Sequence, residues 1–108
     1  MTTFDDREKA FEARYARDQE MQFKIVARRN RLLGQWAAKK MGLTEVEAEA
    51  YARDVIRADF EEAGDDDVVR KLLGDLISAG VDIDEAAIRE ALAHKTVEAR
   101  RHLIEVQN

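Results

Sequence analysis

A chain of 108 residues has room for one domain, and with 38% charged and 45% hydrophobic residues its core must be thin and shared by every element. The absence of cysteine excludes disulfides and thiol chemistry, and the absence of proline lets helices run uninterrupted. The net charge of −5 is laid down unevenly: residues 1–20 carry six acids and four bases, 21–44 six bases and no acid, and 45–67 ten acids against two bases. A basic block beside an acidic block predicts two helices that pair and largely cancel, leaving no uncovered basic face for nucleic acid. The opening residues lack the apolar run of a signal peptide, and no stretch approaches the ~18 apolar residues of a membrane span, so an intracellular protein without direct membrane insertion is expected.

The first predicted helix starts near Asp5 and runs to Met41, with Ile25, Val26, Leu32, Leu33, Trp36 and Met41 recurring at helical steps. It ends at Gly42, which follows Lys39 and Lys40 as a C-terminal glycine follows cationic residues. Residues 1–20 lack such a stripe: ten of the twenty are charged, and their large apolar side chains are Phe4, Phe11 and Tyr15, seven and four residues apart on one face. An isolated helix of that length is marginal in water, so this segment is expected to be a helix-prone arm, frayed or disordered when free, that folds against a partner. A solvated tail with no partner is the competing reading.

The second predicted helix opens on Thr44-Glu45-Val46-Glu47, a capping box, and runs to Gly64 with Ala48, Tyr51, Ala52, Val55, Ile56 and Phe60 on its apolar face. Asp59 falls close to that face, where a carboxylate paired with Arg28 or Arg29 is the expected structural role. Asp65, Asp66 and Asp67 can each cap a third helix, which carries Val69, Leu72, Leu73 and Leu76 and stops at Gly80. Asp84 caps the fourth, with Ile83 and Ile88 at hydrophobic-staple spacing, followed by Ala91, Leu92, Ala99, Leu103 and Val106. The expected fold is all-α: a four-helix, bundle-like single domain over residues 21–108, antiparallel, with Trp36 as the largest core member, preceded by a flexible, helix-prone arm over 1–20.

Catalytic and metal patterns are missing. His94 and His102 are separated by about 12 Å along a helix, too far to share a metal. The three consecutive aspartates lack the alternating ligands and closing glutamate of a calcium loop, and no glycine-rich phosphate loop occurs. No cofactor and no enzymatic activity are expected. Arg28, Arg29 and Arg31 are candidate phosphate contacts for weakly bound ATP or ADP, against the plainer alternative of internal pairing with the acidic second helix.

Four stretches resemble one family. Met1-Thr-Thr-Phe-Asp-Asp-Arg7, Ala27-Arg-Arg-Asn-Arg-Leu-Leu-Gly-Gln-Trp-Ala-Ala38, Ala58-Asp-Phe-Glu-Glu-Ala-Gly-Asp-Asp-Asp-Val-Val-Arg-Lys71 and Val81-Asp-Ile-Asp-Glu85 occur in order along nearly the whole chain. Together they are similar to the zeta subunit of the alphaproteobacterial F-type ATP synthase. The resemblance implies a small regulatory subunit in the bacterial cytoplasm, peripheral to the inner membrane and monomeric when free. It further implies that the protein inhibits ATP hydrolysis by inserting its N-terminal segment into the catalytic head, between the nucleotide-binding subunits and the central rotor. The bundle would anchor it there, and the arm residues Phe4, Asp5, Asp6, Arg7, Phe11, Arg14 and Tyr15 would meet the partner. A structural adaptor of the same complex, without effect on turnover, is the remaining alternative.

Overall fold

A computed structural model describes the backbone of residues 3–61 and 64–107 and the side chains of residues 17–59 and 64–104. The chain forms four helices, α1 (Thr3–Lys40), α2 (Glu45–Glu61), α3 (Asp66–Ser78) and α4 (Glu85–Gln107), with no strand among the described residues. At 1.5 Å per residue α1 is about 57 Å long. The molecule measures 65 × 27 × 22 Å, a long dimension that α1 sets.

The helix ends follow the punctuation of the sequence. After α1, Gly42 adopts φ 74° and its amide returns to the Lys39 carbonyl at 3.1 Å, while the Leu43 amide reaches Ala38 at 3.0 Å. This paired closure needs a left-handed residue, and the same pattern repeats at Gly80, with φ 82° and a Val81 amide bonded to Leu76. The capping box of α2 is formed in both directions: the Glu47 amide donates to Thr44 Oγ1 at 3.2 Å, and the Thr44 amide donates to Glu47 Oε1 at 2.9 Å. Asp84 caps α4 by accepting from the Ala87 amide at 2.9 Å. The cap of α3 departs from expectation. Asp65 holds the position, but its side chain makes no capping bond and instead accepts from Arg29 on α1. An arginine with little access to water competes better for that carboxylate than one backbone amide does.

All four helices contribute to one core: Leu33 and Ala37 from α1, Val55 from α2, Val68, Val69, Leu72 and Leu76 from α3, and Ile88 from α4. Helix α1 touches each of the other three, most extensively α2 and then α4, whereas α2 and α4 do not meet. At the α1–α2 crossing the chains come unusually close, because a Cβ on Gly34 would stand 2.7 Å from Ala52 Cα. Residues farther from the connecting turn on α1 meet residues farther along α2, as Gly34 meets Ala52 and Arg29 meets Asp59, so the pair is antiparallel.

Trp36 corrects one expectation. It packs against the core only in part, and the largest fully buried side chains are Leu33, Leu72, Leu76 and Ile88. The Lys40 ammonium lies 5.2 Å from the centre of the indole, which borders shallow depressions lined by Ala87, Ala91 and Lys95 of α4. In a core this small, an indole serves better as a wall between α1 and α4, where its ring keeps a polar edge near solvent.

Candidate partner-binding site

The residues of α1 change character abruptly along the helix. Arg17, Asp18, Gln19 and Glu20 are exposed, Met21 is half-buried, and Gln22, Phe23 and Lys24 are again exposed, with Phe23 at 55%. Among the described side chains Ile25 is the first buried one on α1, and Arg29, Asn30, Leu33, Ala37 and Ala38 follow on the same face. The expected arm residues Phe4, Asp5, Asp6, Arg7, Phe11, Arg14 and Tyr15 belong to α1 by backbone, but their side chains lie outside the described residues. The Glu20–Lys24 ion pair, 3.3 Å long and open to water, is a local brace within the helix of little energetic weight.

Where packing begins, a polar cluster joins three elements. The Arg29 side chain is 5% exposed and donates through Nε and Nη2 to Asn30 Oδ1, at 3.1 and 2.9 Å. Its Nη1 donates to Asp65 Oδ1 at 3.0 Å, and Nη2 stands 4.0 Å from Asp59 Oδ1. A buried guanidinium is tolerated only when its donors and charge are met, and here α1, the end of α2 and the start of α3 each supply a partner. The expected pairing of Asp59 with an arginine is therefore present, at the long end of ion-pair distance. Asn30, 1% exposed, is a buried polar residue that the sequence reading passed over. The signal was available, since Asn30 stands on the stripe between Val26 and Leu33 where an apolar residue would be expected.

The other two candidate phosphate arginines are placed differently. Arg31 Nη2 donates to both oxygens of Glu49 on α2, at 3.0 and 3.2 Å, so the basic first helix and acidic second helix do pair. Arg28 is half-buried, and its Nε is buried without a partner among the described residues. The three guanidinium groups thus do not converge on one point.

Elsewhere, polar groups brace the bundle. The Tyr51 hydroxyl donates to Asp75 Oδ2 at 2.7 Å, and Lys71 Nζ donates to the same oxygen at 3.1 Å. Burial, reinforced by that carboxylate, pushes the Tyr51 phenol well above its ordinary range. Arg89 of α4 donates to Asp66 of α3 at 2.8 Å and holds the aspartate below its usual value. No group of three or more potential metal ligands occurs among the described residues, and His94 is exposed beside Glu90. Among the described residues, no helix is long and apolar enough to cross a membrane.

The family described as ATPase inhibitor subunit zeta matches residues 1–102. The chain belongs to that family. Zeta subunits are, by this description, regulatory rather than catalytic. A protein solved by solution NMR is 46% identical and superposes with a TM-score of 0.70, over 79% of this chain and 96% of its own. No curated protein matches the chain. The resemblance read from Phe4-Asp5-Asp6-Arg7 and the three later stretches thus coincides with the span of the family.

Proposed function

We propose that this zeta-family protein is a regulatory subunit that binds the catalytic head of the F-type ATP synthase on the cytoplasmic side. It inhibits ATP hydrolysis by inserting its N-terminal helix at an interface between the nucleotide-binding subunits and the central rotor. The observation that carries the reading is the division of α1 within a family of ATPase inhibitors: burial begins only at Ile25, while Arg17–Glu20 face solvent. A helix extending beyond its own core is suited to a cleft in another protein that covers its apolar side chains. Ordering such a segment costs about 2–5 kcal/mol. Burying Phe4 and Phe11 would return about 1.5–3 kcal/mol each, offsetting much of that cost. The Arg29 cluster supports the mechanism from below, because an inserted wedge transmits force to its base, and there three elements are tied together.

Deletion of residues 1–18 tests the proposal. The shortened protein is expected to keep its bundle, with unchanged amide resonances for the core residues, and to lose inhibition of ATP hydrolysis by the isolated head. Inhibition that persists, or a bundle that unfolds on deletion, would count against the wedge. An adaptor without regulatory effect is separated by the same hydrolysis assay, since it leaves turnover unchanged when the intact protein is added.

A further inference from the structure

Helix α4 has two faces, and the bundle uses one. Ile88 and Ala99 are fully buried against the core, whereas Val97 and Ile104 are 54% and 51% exposed on the opposite side. Arg100 and Arg101 stand between them, so the four residues recur at positions i, i+3, i+4 and i+7 and border one shallow depression. The nearby carboxylate Glu98 is taken by Lys95 at 3.1 Å, and among the described residues neither arginine has a carboxylate partner. Arg17, Lys39, Arg53 and Arg57 are likewise without a carboxylate partner among the described residues, but Arg100 and Arg101 differ from them in flanking two exposed aliphatic side chains on one helix face.

We infer that the outer face of α4 is a second docking surface, for a protein surface with an apolar centre rimmed by carboxylates. Charge decides between the possible occupants. A second copy of the chain, meeting this face about a two-fold axis, would set Val97 against Ile104 and crowd four arginines into the centre, which repel. A lipid surface is matched by helices with a broad face of Leu, Phe or Trp. Here two branched aliphatics stand alone beside the arginines, too narrow an apolar face to enter a bilayer. An acidic protein groove satisfies both arginines and covers both aliphatic side chains, the arrangement by which a helix face seats in a partner. The inference rests on the proposed inhibitor function only for the identity of the partner, the catalytic head. Its role there is affinity, while the N-terminal helix supplies inhibition.

The experiment uses the full-length chain and purified catalytic head, with binding followed by calorimetry across a salt series and inhibition followed separately. Two double variants are compared with the parent: Arg100→Glu with Arg101→Glu, and Val97→Ser with Ile104→Ser. Both pairs are exposed, so the amide spectrum is expected to be unchanged. Each is expected to weaken binding by about ten-fold or more, and the arginine pair also to flatten the salt dependence, with full inhibition still reached at saturation. Unchanged affinity in both variants overturns the inference, whatever the inhibition assay shows. So does binding to phosphatidylcholine–phosphatidylglycerol vesicles, or self-association in sedimentation, that is lost in the variants while head binding is kept. If the parent binds without inhibiting and the variants lose that binding, the inhibitor function falls and the docking surface stands.

Discussion

Two stretches of one helix behave oppositely. Residues 17–24 and 25–40 of α1 share a backbone geometry and a good supply of helix formers, yet the first stretch is mostly exposed and the second carries Leu33, Ala37 and Ala38 at no exposure. Helix propensity is nearly the same in both, so the difference comes from neighbours: α2 and α4 flank the later turns of α1. A helix can therefore be continuous in geometry and divided in energetics. Its packed part gives the fold its stability, while the exposed stretch adds little to it.

The sharpest way to break this comparison is to truncate one side chain in each half. Leu33→Ala, which removes a fully buried side chain, is expected to lower stability by about 2–5 kcal/mol in urea titration. Gln19→Ala, in the exposed half, is expected to change it by less than about 0.5 kcal/mol. Comparable losses at both sites would mean that the two halves form one energetic unit.

Arg29→Ala probes the boundary between them. It strands Asn30 and Asp59 in a cluster that the arginine satisfied, and about 2–3 kcal/mol should be lost, near the lower end for a broken buried pair because Asp65 is half exposed. Amide exchange should rise most around Asp65 and the start of α3. A uniform rise along the bundle would place the effect in the core instead.

Thr44→Ala is expected to cost about 1 kcal/mol by removing the cap of α2. It also has a titration signature. The two hydrogen bonds with Thr44 hold the Glu47 carboxyl below its ordinary value. Such a group adds stability above its unfolded pKa, and that increment disappears as pH falls through the folded one. In the variant the backbone amide of residue 44 still donates to Glu47. In carbon-detected NMR the carboxyl should therefore move only part of the way up towards the ordinary glutamate position, and only the hydroxyl's part of the acid dependence should vanish. A smaller loss than that of the cap is expected from Tyr51→Phe, about 0.5–1 kcal/mol at neutral pH. A raised phenol pKa means stability that is complete below about pH 10 and declines as pH rises towards the folded value. Alkaline melting curves should show this decline in the parent and not in the variant.

How much was legible follows from which interactions are local. The caps at Thr44 and Asp84 and the closing glycines at 42 and 80 were all readable, because each depends on residues within one turn of one another. The buried stripe through Leu33, Val55, Leu72 and Ile88 was readable from its period. The fate of Asp65 was not, since its competition between a local amide and Arg29 is decided across 36 residues of chain. Asn30 was legible as buried, from its place on the stripe between Val26 and Leu33, but its bond to Arg29 belongs to a cluster completed by Asp65 from a distant segment. Trp36 was over-assigned to the core because size predicts how much a residue can bury, not whether the space exists.

The sequence by itself determined that four helices form, where each starts and stops, and which family the chain joins, because those properties rest on short-range hydrogen bonding and on ordered residue identity. Only the tertiary structure decided that, among the described side chains of α1, burial begins at Ile25, that Arg29 is the knot between three elements, and that Val97, Arg100, Arg101 and Ile104 of α4 are exposed together. Those depend on which surfaces meet when helices pack, and burial has no local signature: the same leucine-sized side chain is core or surface according to what arrives from a distant part of the chain.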